Sequence, residues 1–554
     1  MAPTDIIRPV TGLEPRPDVQ PTGSGEHATP LTALAGIGWE RIQLVIELRG
    51  SVPAAPRLEH RPHNPDVRDE PMEPTWFGAT DDGLLLRFNV MVGPGHAPLA
   101  DGTWILCAAP GEPLSLDRPD VVAVALAERS FPFRGGRYRV APMIDRERTH
   151  LCLEVATFRT SSALGRLRRW WRRLSAFARP RRRLFDALLA FHRSRRPRAG
   201  RRVLFTSDSR AGLSGNLAVV HDRMVERGLD ATHRLDMIFK PSTTAHRSWP
   251  DRWRLPRLLA QADVILLDDY QPIIYRLPPD PGQRIVQLWH ASGAFKTVGY
   301  SRVGKPGGPS PFWRRHKNYT HAIVSGQHDV PYYAEAFGLP EDRVIPTGIP
   351  RMDRFFDATH REASIVQARE AFPQIEGRFV ILFAPTFRGA GPRSARYEYD
   401  QVDWPALHAA CVARDAVVIV KMHPFIREPA PIPHHLRDRL VDGTRTAMDV
   451  NDLLFAVDLL ITDYSSIVFE FSTQLRPMLF FAYDLEEYVA NRDFYVPFEE
   501  FVPGRIARTF GEVIDAIERD AYEAEKVPVF RARHFDNLDG SATDRVIDEL
   551  ILGR

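Results

Sequence analysis

The sequence predicts an α/β protein in which two doubly wound parallel sheets follow a smaller β-rich domain. From residue 202 onward, short apolar runs such as RVLFTS and DVILLDD alternate with amphipathic stretches. A second set begins near residue 378 with RFVILFAPT and continues with AVVIVKMHP and LLITDYSS. This rhythm is typical of parallel strands joined by helices. Two Rossmann-like domains are therefore expected to face each other across a cleft, with ligands beyond the carboxyl ends of the strands.

The expected domains follow changes of composition along the chain. Residues 1–30 are rich in Pro, Gly and Thr, which predicts a disordered leader without the apolar core of a secretory signal. Residues 31–160 contain short, partly alternating apolar runs, which predict an antiparallel β-rich domain of unknown role. The two Rossmann-like domains are expected over residues 201–350 and 351–554, with a linker around residues 345–377.

The composition excludes several classes of protein. The chain has 554 residues, 44% of them hydrophobic, and its formal net charge of only +3 indicates no particular partner. Cys107, Cys152 and Cys411 are far apart and form no CxxC pair, which disfavours a disulfide framework or a cysteine zinc site and favours a reducing compartment. No apolar stretch approaches the roughly 18 residues that cross a bilayer, so any membrane contact is expected to be peripheral.

Residues 161–200 form a basic segment with apolar residues at roughly helical spacing. Nine arginines fall between Arg166 and Arg183, and no acidic residue lies among them. A basic helix with tryptophans on its apolar side is typical of a membrane-surface binder. A structural helix or a nucleic-acid patch are the alternatives, but no nucleic-acid-binding motif accompanies the arginines, so no nucleic-acid partner is expected. The expected membrane-surface residues are Arg168, Arg169, Trp170, Trp171, Arg172 and Arg173.

Two histidines follow apolar strands directly. His290 ends the run IVQLWH and could act as a general base near neutral pH, with Lys296 nearby to hold an anion. His423 leaves VVIVKMHP, in which Lys421 precedes it and Pro424 fixes the direction of the exit. A structural histidine in a loop is the simpler interpretation of each, and position alone leaves both interpretations open.

Two further polar clusters stand at strand ends. Thr386 and Arg388 leave the strand in FAPTFRG together, and a guanidinium group matches the geometry of phosphate oxygens. A surface arginine in an arginine-rich protein is the alternative interpretation.

The second cluster is LLITDYSSIVFEFS. Its strand ends at Asp463, and Ser465 and Ser466 then open a helix whose N-terminal N–H groups could bind a pyrophosphate. Glu470 follows one turn later, where a carboxylate could accept ribose hydroxyls. The alternatives are an ordinary helix cap and a surface charge.

No known cofactor or metal motif is evident. Glycine-rich phosphate loops, dinucleotide fingerprints and zinc-protease helices do not occur. The Asp268-Asp269 pair stands alone and does not form a hard-cation ligand set. We therefore expect a metal-free mechanism without a cofactor.

Taken in order along the chain, these clusters resemble the CDP-glycerol glycerophosphotransferase family, which builds teichoic-acid-type polymers. The resemblance covers roughly residues 200–520. It is strongest in ITDYSSIVFEFSTQLRPMLFFAYDLEEYVANRDFYVPFEEFVPG, at residues 461–504. Weaker supporting pieces are SGN at 214–216, Trp289-His290, TGIPRMDRFF at 347–356, APTFR at 384–388 and His423-Pro424.

The resemblance implies a GT-B fold with an acceptor domain, a CDP-donor domain and an active site between them. It implies that an acceptor hydroxyl attacks the donor phosphate that carries the polyol and that CMP is released. His290 would be the general base, and His423 would stabilise charge on the transferring phosphate. The pyrophosphate would be held by Arg388, Ser465 and Ser466, in a loop ordered by Asp463.

The loop after His290 departs from the family pattern. The family usually continues Trp-His-Gly-Thr-Pro, whereas this chain has Ala291, Ser292 and Gly293 after the histidine. We expect CDP-glycerol as donor and a lipid-linked polymer as acceptor, with the enzyme on the cytoplasmic face of the plasma membrane. CDP-ribitol or another CDP-polyol is the first alternative. A nucleotide-sugar transferase and a membrane-bound scaffold are more distant ones.

Overall fold

In this computed structural model, the structure describes residues 32–554 except 51, 53–55, 62–69, 146, 148, 160–179, 197–199, 279, 390–392 and 427. The predicted leader and the expected membrane-surface residues 168–173 lie outside the described residues. The chain divides into two compact units. One comprises the residues up to 131 together with 136–159, and the other comprises residues 132–135 and 160–554. No helix in the described part of the chain has both the length and the apolarity needed to cross a membrane.

The first unit is built from antiparallel β-strands. One sheet has four strands in the order β1-β2-β5-β4, and a second has the order β3-β6-β10-β9-β8 with β7 paired to β6. Trp104, Tyr138 and Phe88 are among its fully buried side chains. The elements are β1 Ala33–Glu40, β2 Gln43–Arg49, β3 Arg57–Arg61, β4 Trp76–Ala79, β5 Gly83–Asn89, β6 Gly102–Ala109, β7 Glu112–Pro113, α1 Val121–Leu126, β8 Arg129–Phe133, β9 Gly136–Ile144 and β10 Leu151–Arg159.

The second unit begins with a six-stranded parallel sheet in the order β12-β11-β13-β14-β15-β16. The strand order reverses between β11 and β13, and ligands of open α/β sheets bind at such switch points. Its elements are α2 Pro180–Ser194, β11 Arg202–Ser207, α3 Gly215–Glu226, β12 Arg234–Phe239, α4 Trp249–Gln261, β13 Val264–Leu267, β14 Arg284–Gln287, β15 His321–Ile323, α5 Val330–Phe337 and β16 Val344–Ile345.

A second parallel sheet follows in the order β19-β18-β17-β20-β21-β22, with its reversal between β17 and β20. Its strands are almost entirely buried, because helices cover both faces. Its elements are α6 Ala358–Ala371, β17 Phe379–Phe383, α7 Trp404–Arg414, β18 Ala416–Val420, β19 Leu440–Asp442, α8 Val450–Leu453, β20 Leu459–Thr462, α9 Ile467–Ser472, β21 Met478–Phe481, α10 Leu485–Asn491, α11 Phe498–Phe501, β22 Arg505–Ala507 and α12 Phe510–Arg519.

The C-terminal segment crosses back to the first of these sheets. It contains α13 Lys526–His534, α14 Ala542–Arg545 and a π-helix over Val546–Leu552. Asp544 forms a 2.8 Å ion pair with Arg223 of α3, and the Thr543 backbone N–H donates to Asp353 at 2.8 Å. Although the last residues follow the second sheet in the chain, they pack against the first sheet in space.

Candidate functional site

His290 follows β14 on a backbone that is held from three directions. Trp289 has a φ of +51°, a left-handed conformation that costs a non-glycine residue about 1–3 kcal/mol. Its N–H donates to Gln287 Oε1 at 3.0 Å. Its carbonyl accepts from Asn216 Nδ2 at 2.7 Å, and Asn216 Oδ1 in turn accepts from the Arg351 N–H at 3.0 Å. The SGN and TGIPR pieces of the sequence therefore fix the direction in which His290 leaves the sheet.

The imidazole of His290 lies beside two aspartates at the end of β13. Its Nδ1 is 3.9 Å from Asp269 Oδ1, which is too long for a hydrogen bond. Burial lowers the pKa of His290, and the nearby Arg351 and Arg210 lower it further, whereas Asp269 and the backbone of Asp268 oppose them. The side chain nevertheless keeps 44% of its surface exposed. This combination is typical of a group at the floor of an open cavity, and it keeps His290 neutral at pH 7.

Asp268 is fully buried directly behind this site. Burial raises the pKa of its carboxyl group to about 6, and the charge of Asp269 adds to the rise. Arg210 Nε lies 2.6 Å from Asp268 Oδ2, although the two groups lack the alignment of a hydrogen bond. The acidic pair that looks like a weak metal motif in the sequence is thus the electrostatic neighbour of His290.

On the second sheet, Asp463 organises the ends of β17 and β20. Its Oδ1 accepts from the backbone N–H groups of Thr386 at 2.7 Å and Tyr464 at 2.6 Å. Its Oδ2 accepts from Arg388 Nη1 at 2.9 Å. Asp463 is 1% exposed, so these are strong contacts in a low-dielectric environment. The loops at the switch point of this sheet are therefore held in one arrangement.

Arg388 has most of its donors engaged by the protein. Nη2 and Nε form a bidentate pair with Asp484, at 2.8 Å and 2.5 Å, and Nη1 also donates to the Thr386 carbonyl at 2.6 Å. Tyr464 completes the group by donating its hydroxyl to Asp484 at 3.0 Å. Because a guanidinium group has five N–H donors, these contacts leave little of Arg388 for a ligand.

His423 is held in one orientation by its own loop. The backbone N–H of Phe425 donates to His423 Nδ1 at 3.1 Å. Burial lowers the pKa of His423, and the charge of Lys296 lowers it further. A neutral ring that accepts at Nδ1 must carry its proton on Nε2. His423 therefore presents an N–H donor to its surroundings, flanked by the rings of Phe387 and Phe425.

The loop after His290 inserts into the second half of the unit. Lys296 forms a backbone bridge with Phe494, and the Thr297 N–H donates to the Asp493 carbonyl at 2.9 Å. Burial lowers the pKa of Lys296 to about 8, and Arg492 and Arg388 lower it further against the opposing charge of Asp463. Lys296 is therefore placed beside the Asp463 and His423 loops.

Ser292 and Gly293, which stand where the family usually has Thr and Pro, make a buried contact with the half of the unit that contains the second parallel sheet. Ser292 Oγ donates to Glu470 Oε1 at 2.6 Å, and Arg351 contacts both side chains. A Cβ atom on Gly293 would lie 2.1 Å from the ring of Phe469, so only glycine fits there. Glu470 is 3% exposed, and this pairing with Ser292 and Arg351 was not predicted from the sequence.

The other predicted residues are placed as follows. Ser465 is half-buried and Ser466 exposed at the start of α9, which is six residues long and has no side-chain cap bond. Thr386 Oγ1 is buried and has no hydrogen-bond partner within the described residues. Lys421 Nζ donates to the Thr446 carbonyl at 3.3 Å. Thr386 and Ser465 thus lie on the two strand ends at the switch point.

One group of possible metal ligands occurs in the described part of the chain, away from these strand ends. It consists of His328, Asp329 and His534. His534 Nδ1 lies 3.1 Å from Asp329 Oδ1, and Asp329 Oδ2 accepts from Ser325 at 3.0 Å. Both carboxylate oxygens are therefore already used, Oδ1 in joining α13 to the first sheet and Oδ2 in a local contact with Ser325.

Several site residues were missed in the sequence. Asn216 lies in SGN and Arg351 in TGIPR. Both motifs supported the resemblance to the family, but neither residue was assigned a role. Asp268 and Asp269 were weighed only as metal ligands. Asp484 lies in the Asp-Leu pair of the strongest motif. Asp268 and Asp269 follow β13 and Asp484 precedes α10, and that position was the available signal for them; Asn216 lies in the first turn of α3 and Arg351 in a 3₁₀ helix.

Comparison with known proteins agrees with this geometry. The family model described as CDP-glycerol:poly(glycerophosphate) glycerophosphotransferase matches residues 188–552. The teichoic acid ribitol-phosphate polymerase TarK of Staphylococcus aureus is 44% identical over 367 residues, which cover 66% of this chain and 71% of that protein. The teichoic acid glycerol-phosphate primase of Bacillus subtilis is 26% identical over 295 residues, which cover 52% of this chain and 74% of that protein.

The solved structure of the wall teichoic acid polymerase TagF is similar in fold. It has a TM-score of 0.54 at 20% identity, and the match covers 71% of this chain and 98% of that chain. This confirms the coarser part of the fold prediction, an α/β protein with parallel sheets in a GT-B-like arrangement.

The family model and the relatives define a transferase of the teichoic-acid polymerase and primase class. The chain belongs to the CDP-glycerol:poly(glycerophosphate) glycerophosphotransferase family, which confirms the resemblance found in the sequence. It spans 57% to 71% of the length of the ribitol-phosphate polymerases that it matches.

Proposed function

We propose that the chain transfers ribitol phosphate from CDP-ribitol to a hydroxyl of a teichoic-acid-type polymer and releases CMP. The supporting observation is a difference in similarity. Relatives named for ribitol phosphate are 38% to 44% identical to this chain, whereas relatives named for glycerol phosphate are 26% to 28% identical. Ribitol phosphate, the first alternative from the sequence, therefore replaces glycerol phosphate as the preferred substrate.

The proposed reaction is a single displacement at phosphorus. The acceptor oxygen forms a bond to the phosphorus that carries the polyol, and the bond from that phosphorus to the bridging oxygen breaks. The acceptor proton passes to Nε2 of His290, and CMP leaves with the electron pair. Phosphoryl transfer of this kind depends mainly on positioning and on neutralising charge.

The two histidines have different roles in this proposal. His290 acts as general base, because its pKa is lowered and its Nδ1 faces the acidic end of β13. His423 donates from Nε2 to an oxygen of the transferring phosphate. Lys296 supplies the nearby positive charge.

The donor pyrophosphate is proposed to lie at the switch point of the second sheet. Thr386 Oγ1 and the hydroxyls of Ser465 and Ser466 are available there as hydrogen-bond donors. Arg388 acts chiefly by holding Asp463 and Asp484, which fix the loop that carries those donors. Glu470 acts as a positioning residue through Ser292 and Arg351, because its carboxylate is already paired.

The acceptor is proposed to be lipid-linked, with the enzyme bound peripherally to the cytoplasmic face of the plasma membrane. Trp249 and Trp253 lie one turn apart on α4 and are 69% and 50% exposed. On α2, which packs against α4, Leu184 and Phe191 are also exposed. Exposed tryptophans near arginines suit an anionic membrane surface.

The direction of these helices supports a membrane surface near the proposed reaction site. Arg196, just after α2, pairs with Asp263 at 2.7 Å, and α4 ends two residues before Asp263. Both helices therefore begin at the edge where the strands end, beside the proposed site. Replacing both Trp249 and Trp253 by serine should reduce co-sedimentation with anionic vesicles; unchanged binding would contradict a role for this surface.

CMP release tests the proposed reaction. Purified protein would be given CDP-ribitol or CDP-glycerol with a short lipid-linked acceptor, and His290→Ala would serve as the inactive control. Release with CDP-ribitol at a kcat/KM at least about tenfold above that for CDP-glycerol is expected. The opposite preference would assign glycerol phosphate, and no release with either donor across several acceptors would contradict the reaction class. Full activity in excess EDTA is expected, because no metal is proposed to take part.

A further inference from the structure

Three cationic residues lie on the paired segments where the loop after His290 crosses to the second half of the unit. Lys296 lies in the backbone bridge to Phe494, and a short 3₁₀ helix that begins three residues later ends at Arg302. Arg492 follows α10 directly and precedes the segment to which this loop pairs. We refer to Lys296, Arg302 and Arg492 as the cation cluster.

Among the described residues, the cation cluster has no carboxylate in direct contact, although Asp463 and Asp493 act on it from a longer distance. Within the part of the chain that the structure describes, no carboxylate oxygen lies within 4.0 Å of a charged nitrogen of the three residues. The adjacent Asp493 is paired with Lys305 at 3.0 Å. All three side chains are half-buried, so solvent screens their repulsion only partly.

The mutual repulsion is visible in the electrostatics. Burial lowers the pKa of Arg302, and the charge of Arg492 lowers it further, whereas Tyr270 and Asp493 oppose the shift. Arg492 acts in the same direction on Lys296. Unbalanced charges of one sign weaken the free protein, and a structure retains them where an anionic ligand uses them.

The cation cluster extends toward the segment that carries His290. The pKa of Arg302 is also influenced by Tyr270, whose ring centroid lies 5.6 Å from that of Trp289. The exposed Arg315 lies 5.4 Å above the same tyrosine ring. The cationic residues therefore continue from Arg492 along the wall that carries the proposed general base.

We propose that Arg302 and Arg492, which lie beside Lys296, bind the terminal phosphodiester of the acceptor polymer and so hold its last hydroxyl against His290. This inference rests on the proposed function, in which the acceptor carries a phosphodiester in every repeat. Arginine matches such oxygens with paired donors. Arg315 continues the positive surface toward the preceding repeat. The donor pyrophosphate presents the same chemistry, and the experiment below separates the two sources.

The test compares Arg302→Gln and Arg492→Gln with the control Arg519→Gln, an exposed arginine of α12. The substrates are CDP-ribitol and synthetic oligo(ribitol phosphate) acceptors of one and of six repeats. Each variant of the cluster should raise KM for the six-repeat acceptor about tenfold, the loss expected for one charge-assisted hydrogen bond. The KM for CDP-ribitol and kcat at saturating acceptor should remain within about twofold of the unaltered protein.

A rise in the donor KM with an unchanged acceptor KM would assign the cluster to the pyrophosphate and overturn the inference. Unchanged values for both substrates would also overturn it. If the unaltered protein turns over neither CDP-ribitol nor CDP-glycerol, the proposed function fails first. Calorimetric binding of the six-repeat acceptor then tests the subsite alone, with weaker binding expected for both variants and not for Arg519→Gln.

Thermal unfolding provides a second, independent measurement. Because each substitution removes a repelling charge, Arg302→Gln and Arg492→Gln should unfold about 1–2 °C higher than the unaltered protein when no ligand is present. Adding the six-repeat acceptor should reverse that order. Lower unfolding temperatures for both variants without ligand would show that the arginines have structural partners, which contradicts an unbalanced cluster.

Discussion

His290 and His423 each follow a strand of a parallel sheet, β14 in the first sheet and β18 in the second, yet their surroundings prepare them for opposite tasks. His423 accepts a backbone hydrogen bond at Nδ1, which places its proton on Nε2. The Nδ1 of His290 lies 3.9 Å from the Asp269 carboxylate, and Nε2 is the nitrogen proposed to take the proton. The same residue type is thus set as a donor on one wall and as a proton acceptor on the other.

The walls differ in rigidity as well. Around Asp463, the arginine, the two backbone N–H groups and Asp484 form a network in which nearly every charged group has a partner. Around His290, Asp268 lacks aligned hydrogen bonds, and Trp289 is held in a left-handed conformation. Backbone strain and charged groups without aligned hydrogen bonds are therefore concentrated around His290, the residue proposed to accept the proton.

The largest effect is expected from removing the proposed base. His290→Ala should lower kcat about 10³-fold, because general-base catalysis contributes about 10² to 10⁴-fold. The affinity for CDP-ribitol, measured by calorimetry, should stay within about threefold, because the donor lies on the other wall. A loss of donor affinity comparable to the loss of kcat would contradict this division of roles.

A smaller effect is expected at His423. Replacing it by alanine and by glutamine identifies its role. His423→Ala should lower kcat about 10²-fold, in the range for losing one donor to developing charge. His423→Gln should recover about tenfold of that loss, because its amide still donates a hydrogen bond. The same substitution at His290 should recover nothing, since an amide cannot take the proton. Equal rescue at both positions would show that the two histidines act alike.

The smallest effect concerns pH. Lys296, with a pKa of about 8, is charged below that pH and neutral above it, so kcat/KM should fall by a few fold as the pH rises through 8. The acid limb should lie below pH 6.5, because the lowered pKa of His290 keeps the base neutral down to more acidic pH. Lys296→Arg should move only the alkaline limb to higher pH. An alkaline limb that stays in place in this variant would assign it to another group.

The sequence was most informative where chemistry coincides with the end of a strand. His290, Arg388, His423 and Asp463 were found because each ends a buried apolar run, and parallel strands bring such ends together. The partners of these residues were not predictable in that way. Arg351 and Glu470 are 119 residues apart and meet only because a 3₁₀ helix after the first sheet packs against α9 of the second.

The lack of paired carboxylates at Arg302 and Arg492 was equally unpredictable from the sequence. Arg302 and Arg492 belong to loops that look ordinary in an arginine-rich chain, and their lack of carboxylate partners is visible only in three dimensions. For the same reason, Glu470 looked like a surface carboxylate, although the structure buries it against Arg351.

The return of the C-terminal segment to the first sheet has a consequence for biosynthesis. During translation, the first Rossmann-like half emerges from the ribosome well before α14, which supplies Asp544 and Thr543 to it. That half must therefore wait, with the surface that later receives α14 and the π-helix still uncovered, until these helices have left the ribosome. Domains that are completed late expose apolar surface for longer. Nascent chains of this protein are accordingly expected to need chaperone protection until α14 and the π-helix have been synthesised.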